Sequence, residues 1–489
     1  MSFIPLLLAV PLLTAGVCAV AARWAPRASV AGAAVTFGLA LAVSADGFAA
    51  PAQRAFGGAI YLDALAALIV LVVALVAALA ATQSVSYLRN EVAGGHLRPE
   101  RVQWFHVWFH LSVLAMLAVP LLNNLGAMWV AIEATTLTTA LLVAFFRRGR
   151  DLEAAWKYLM LCTVGIAFAL FGVVLTFYAA SRAAGPEAGL EWDQLRANAA
   201  LLDPRLMRLA FVLVLIGFGT KAGLAPMHTW LPDAHGQGPT PVSALLSGAL
   251  LPCALYGVLR FHLLAAGAAG PAFSSDLLIA IGAFSMLAAV PFVVVQHDLK
   301  RLLAYSSVEH MGVIALAVGI GSPLALFSAA FHLFNHALAK SALFFAAGAI
   351  GQRYGTLRIA HLRGAIDVAR VPALALVLGT LAISGLPPFA PFASELGIAR
   401  AGLDGRPSAV GGILVLLVAT VLVFGGMSFH VLQVVLREPR RRTYPGTFGP
   451  SWLLYGVPIG VLAVIGVWLP PLLSGPFAAV ARVLAVTVP

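Results

Sequence analysis

An all-α polytopic membrane bundle of about fourteen helices, arranged as two inverted five-helix repeats with two discontinuous helices, is the fold this sequence predicts. Three observations predict it. Of 489 residues, 61% are apolar and only 10% charged, where a soluble domain carries about 25% charged residues. The apolar residues fall in runs of about 20, the length that crosses a bilayer core. Two of these runs are broken by proline close to an ionisable residue: Pro226 near Lys221, and Pro387 with Pro388 near Glu395.

The runs begin near residues 3, 28, 61, 104, 124, 154, 206, 240, 277, 300, 323, 370, 408 and 450, with no stretch between them long enough for a water-soluble domain. The first reads as a helix and not a cleaved signal, because Arg23 and Arg27 follow the apolar run and no basic residue precedes it. Residues 1–103 then hold three N-terminal helices, 104–265 the first repeat, 276–437 the second, and 450–489 a last helix. Lysine and arginine are unevenly placed. Nineteen fall on one side: Arg23 and Arg27, the 89–101 and 147–157 loops, Lys300 with Arg301, the 353–370 loop, and Arg437, Arg440, Arg441 and Arg442. Nine fall on the other: Arg54, four between 182 and 208, Arg260, Arg400, Arg406 and Arg482. Cytoplasmic loops collect such residues, so both termini are expected outside the cytoplasm.

A net charge of +11 spread this thinly makes no nucleic-acid surface. Cys18, Cys162 and Cys253 lie in separate runs without C-x-x-C spacing, which argues against a Cys-ligated cluster or zinc site and against a disulfide framework. Neither a dinucleotide nor a P-loop fingerprint occurs. Any redox chemistry therefore belongs to other subunits.

Lys221 and Lys340 remain inside apolar runs. A lysine at mid-membrane costs about 2.5–3.5 kcal/mol on insertion scales, which makes it a functional candidate with a partner to be found; snorkelling to an interface is the plainer alternative. Three acids accompany them, Glu133, Glu309 and Glu395. Each could instead be a neutral acid bonding a neighbouring helix, and Glu309 could equally lie near a helix end. His332, His336 and Lys340 recur at i, i+4 and i+8, so one helix face carries all three, about 6 Å apart. Imidazole accepts a proton on one nitrogen while donating from the other, so such a row reads as a proton wire. A metal site would need further ligands at the same depth, and nothing in the sequence clearly supplies them. His228, Glu309 and His430 are possible additions to the path. The proline breaks free backbone groups that are tolerated only in protein or a wet cavity, although simple kinking would also place proline there.

The stretch KAGLAPMHTWLPDAHGQGPTPVSALLSGALLPCALYGVLR (221–260) resembles the central signature of the antiporter-like membrane subunits of respiratory complex I, Mrp antiporters and membrane-bound hydrogenases. HDLKRLLAYSSVEHMGVI (297–314), the 332–340 row, SGLPPFAPFASE (384–395) and GVWLPPLL (466–473) are similar to the same family in the same order. SSVEHMG and PMHTWLPDAH are most similar to the F component of hydrogenase-4. The resemblance implies a Glu133–Lys221 pair, a central His332–His336–Lys340 connection, and Glu395 where most relatives carry lysine. Ser247 stands where many relatives carry histidine, which puts direct transfer through the eighth span in doubt. It also implies a prokaryotic plasma-membrane location and partners: other membrane subunits and a peripheral redox arm holding Fe-S clusters with Ni-Fe or flavin. This chain itself would hold no cofactor. Mrp-type Na+/H+ antiport, using Glu133, Glu309 and Glu395 as a cation cage, and a purely structural role for the buried charges are the competing functions.

Overall fold

With so few charged residues and so many runs of Leu, Val and Ala, the backbone must satisfy its own hydrogen bonds, and helices do that within one segment. A computed structural model describes the chain except for residues 1–2, 51, 148, 186–188, 437–443, 445 and 487–489. Arg148, Arg437, Arg440, Arg441 and Arg442 therefore lie outside the described residues. In order, the helices are α1 (Ile4–Val20), α2 (Ala25–Ala49), α3 (Ala64–Ala93), α4 (Val102–Leu121), α5 (Leu125–Val143), α6 (Gly149–Ala184), α7 (Trp192–Ala197), α8 (Pro204–Ala222), α9 (Trp230–Gln237) and α10 (Thr240–Leu245). A π-turn at Leu246–Leu250 leads into α11 (Leu251–Ala269), followed by α12 (Pro271–Val294), α13 (Leu299–Ile320), α14 (Pro323–Tyr354) and α15 (Ala365–Val368). The last are α16 (Arg370–Ile383), α17 (Ala390–Leu403), α18 (Pro407–Leu436), α19 (Val457–Val467) and α20 (Pro471–Leu484). One small hairpin, β1 (Gln53–Ala55) with β2 (Ile60–Leu62), sits between α2 and α3.

A helix begins within about six residues of every predicted start. Among the described residues, ten helices are long and apolar enough to cross a membrane unaided, or eleven if the bent pair Trp452–Val467 and Pro471–Leu484 counts as one span. Two further apolar helices, α1 and α16, are shorter. The shortfall against fourteen has a local cause at one predicted span, where α16 stops at a Gly/Pro break. Capping fixes the starts: the side chains of Asp63, Asn124, Asp203, Asp298 and Ser322 accept backbone N–H groups in the first turns of α3, α5, α8, α13 and α14. Outside the spans, those bonds from Arg205 and Leu206 hold the Asp203 carboxyl below its usual range.

The core lies along α3, the Thr240–Ala269 segment, α13 and α14, which are buried over most of their length, while α6, α12 and α18 turn much of their surface outward. The polar stripe of α14 is therefore shielded by other helices and not by lipid. Loops gather at two ends. At one, Asp233 is bridged to Lys157 and Arg301, and Asn90 bonds Gln352 and the Thr447 carbonyl. At the other, Asp193 meets Arg54 and Asn123, and Arg406 meets Asp276.

Two loop assignments need correction. Arg260 belongs to α11, is 1% exposed, and makes a bidentate pair with Asp63 at 2.7 and 2.9 Å beneath the rings of Tyr61, Trp192 and Tyr256. Lys300 is also buried, its ammonium bonded to the Gly238 carbonyl. Both are hidden because a partner on a distant segment covers the charge, which loop position alone does not show.

Candidate functional site

Lys221 lies in the last turn of α8, two residues before Gly223, whose φ of 78° turns the chain out of the helix. The backbone freed at this break is covered by neighbours: the Trp230 indole donates to the Thr220 carbonyl at 2.8 Å, and the Ala225 N–H donates to the Ser285 hydroxyl at 2.9 Å. The Lys221 ammonium donates to the Ile132 carbonyl (3.2 Å) and to the Thr136 hydroxyl, both on α5. Thr136 in turn donates to Glu133 at 3.0 Å, and Thr163 donates to the other Glu133 oxygen at 3.2 Å. A hydroxyl thus stands between the acid and the lysine, where the sequence reading expects a direct pair. The signal was present: Thr136 is three residues from Glu133 and so lies on the same helix face.

Lys340 is held in the same manner. Its ammonium donates to the Leu303 carbonyl (2.9 Å) and to the Ser306 hydroxyl of α13. Lys221 and Lys340 thus each bind one carbonyl and one hydroxyl of an adjacent helix, and neither touches a carboxylate among the described residues.

The row on α14 continues across helices instead of along its own. His332 Nε2 lies 3.1 Å from His310 Nδ1 on α13, and His332 Nδ1 lies 2.9 Å from the Ser394 hydroxyl on α17. Ser394 has one proton, which it gives to the Pro391 carbonyl at 2.9 Å. With its proton there it accepts from His332 Nδ1–H, and Nε2 then accepts from His310 Nδ1–H. In that arrangement the chain His310 to His332 to Ser394 has one direction. His336, 5.7 Å ring to ring from His310, is fully buried with both nitrogens unpartnered, a situation that calls for bound water. His235 on α9 is in the same condition, packed between Trp230 and Phe344.

Glu395 follows Ser394 on α17, beyond a second break containing Pro387, Pro388 and Gly385, whose φ is 69°. Ligand atoms of His310, His332 and Glu395 all lie within 4.8 Å of one another. The structure thus brings His310 of α13 beside His332 and the already expected Glu395, and the bonds of His332 to His310 and Ser394 make a hydrogen-bonding relay there. Sequence reasoning missed His310, Ser394 and His235. His310 sits beside the singled-out Glu309, and Ser394 beside Glu395.

Three candidates stand apart. His228 is buried against Phe292 and Tyr305 with Nδ1 unpartnered, and His430 bonds the Val294 carbonyl at 3.0 Å. Glu309 lies in the middle of α13, not near its end, with Oε2 unpartnered. The three acids do not converge as a cation cage: Glu133 is committed to Thr136 and Thr163, and among the described residues the one metal-competent cluster includes neither it nor Glu309. Ser247, in the π-turn, shares a hydrogen bond of 2.8 Å with Ser307.

Residues 122–423 match the family described as NADH:quinone oxidoreductase/Mrp antiporter, transmembrane. The chain is 40% identical over 395 residues to a hydrogenase-4 component F homolog of Methylacidiphilum infernorum, covering 79% of this chain and 81% of that protein. Its fold is similar to a chain of the archaeal membrane-bound sulfane sulfur reductase, with a TM-score of 0.86 at 24% identity over 99% of this chain and 98% of that one. It is also similar to a chain of respiratory complex I from Thermus thermophilus, with a TM-score of 0.76 at 26% identity over 97% and 99% of the two chains.

Proposed function

This chain belongs to the NADH:quinone oxidoreductase/Mrp antiporter transmembrane family, and on that premise we propose that it is the proton-translocating membrane subunit of a hydrogenase or NADH:quinone-oxidoreductase-like complex. The observation that carries the reading is the matched holding of Lys221 and Lys340, each by one carbonyl and one hydroxyl of a neighbouring helix. Bonds to neutral oxygens let a lysine keep or give up a proton without stranding a partner charge. Glu133 passes its influence through Thr136 to Lys221. Protons then move by way of Lys340, His336, His310 and His332 to Glu395, with water filling the gaps at the unpartnered nitrogens. His228, Glu309 and His430 are side branches at most.

The chain crosses the membrane fourteen times in this reading, with both termini outside the cytoplasm. Its inverted repeats are 104–265 and 276–437, flanked by N-terminal helices in 1–103 and a last helix in 450–489. Supporting it are the helix at every predicted start and the matching breaks at Gly223 and Gly385. Partner membrane subunits and a redox arm carry the Fe-S clusters and the Ni-Fe or flavin centre. Lys221→Ala in the assembled complex tests the assignment: proton uptake into vesicles falls to background while the complex still assembles, and undiminished uptake would refute it.

Sodium/proton antiport is a second reading, favoured by the buried, unpartnered Oε2 of Glu309. A sodium requirement for turnover at a fixed proton gradient would select it.

A further inference from the structure

Away from the proton path, a cleft of about 430 Å3 opens at the end of the bundle that holds the β-hairpin. Its wall combines Arg196 of α7, Arg260 of α11 and Arg482 of α20 with Asp63, Trp192 and Phe48. The charges are unequal. Asp63 gives both carboxylate oxygens to Arg260, so that pair is neutral. Arg196 donates to the Leu263 carbonyl at 2.8 Å, Arg482 is exposed, and neither has an acidic partner among the described residues. Two positive charges therefore face one opening without compensation. Burial, and then the neighbouring Arg260 guanidinium, push the Arg196 pKa down, which is the strain an anion relieves. The Trp192 ring, also on the wall, stacks with the Arg260 guanidinium 4.6 Å from its centroid.

We propose that this cleft binds the phosphate of an anionic phospholipid. Guanidinium groups match phosphate oxygens with paired N–H donors. Basic pockets between membrane helices hold lipid headgroups in this manner. A lipid suits the cleft better than a free ion because of where it lies. It sits at the ends of α2 and α3, and α20 crosses it at 82° to the preceding helix, burying Phe477 and Val480 while Arg482 faces out. That is the posture of a helix lying in the headgroup layer, and Phe48 gives an acyl chain an apolar surface. The inference holds whether or not the chain moves protons.

The test uses the full chain in the detergent-purified complex it belongs to. After delipidation, native mass spectrometry follows rebinding of phosphatidylglycerol, phosphatidylcholine and, in a competing arm, millimolar inorganic phosphate. The expected result is one retained phosphatidylglycerol, with phosphatidylcholine binding at least roughly tenfold more weakly. Arg196→Gln and Arg482→Gln should each weaken retention by about tenfold, the loss of one charged hydrogen bond. Equal retention by the variants, or equal binding of phosphatidylcholine, overturns the proposal. Competition by inorganic phosphate as strong as by the lipid would show a free-anion site, and no binding in the assembled complex would show that a neighbouring subunit covers the cleft; either overturns the lipid assignment. If Arg196→Gln fails to accumulate, Arg482→Glu on the exposed face carries the same comparison.

Discussion

His310 Nδ1 and His332 Nε2 lie 3.1 Å apart and join α13 to α14 at a depth where neither ring meets solvent. His332 is bonded on its other nitrogen to Ser394, so His310 and Ser394 hold its ring between them. Replacing His310 by Phe keeps an aromatic ring but removes the donor. Proton uptake per redox turnover is expected to fall roughly tenfold or more, the scale of a lost proton-transfer group. Uptake at the wild-type level in inverted vesicles would remove His310 from the path.

Thr136 provides a separate test of the Glu133–Lys221 link. Thr136→Val deletes a hydrogen bond to a charged group, worth about 1.5–3 kcal/mol, and with it the connection between acid and lysine. Coupled pumping should drop about tenfold, and Thr136→Ser should restore it. If valine and serine variants pump alike, Glu133 acts on Lys221 through space or not at all.

The Arg260–Asp63 pair should matter for stability and not for pumping. Asp63→Ala leaves a buried guanidinium uncompensated and is expected to cost about 3–5 kcal/mol, whereas the double variant Asp63→Leu/Arg260→Met should cost less than the single one. Thermal unfolding of the purified complex reads the stability, and proton uptake per folded complex should stay unchanged.

Gly466 on α19 packs directly against the second break: a Cβ there would meet the backbone of Pro388, Phe389 and Ala390. Backbone cannot move aside as a flexible side chain can. Gly466→Ala is expected to destabilise by about 1–3 kcal/mol and to lower pumping by displacing Ser394 and Glu395. Gly460→Ala, which points into open space on the same helix, serves as the control. Equal melting temperatures for the two variants would show that the break tolerates displacement.

Hydropathy and helical periodicity are local properties, so the helix starts, the two intramembrane lysines and the His332–His336–Lys340 face were legible from the chain alone. The count of crossings was less so, because the break holding Gly385 ends α16 inside an apolar run. Basic residues near run ends were harder still. Nothing local distinguishes Arg260 and Lys300 from surface charges, and only Asp63 and the Gly238 carbonyl, both far away in sequence, take them out of water.

By itself the sequence determined that this is a helical membrane protein and that Lys221, Lys340, His332 and His336 lie inside apolar runs, since both follow from residue type and spacing. Tertiary packing decided what those groups touch: Thr136 between Glu133 and Lys221, Ser306 on Lys340, and His310 with Ser394 on either side of His332. The reason is geometric. A hydrogen bond between helices depends on rotation and depth to within a fraction of an ångström, and those are fixed only when every helix is packed against its neighbours.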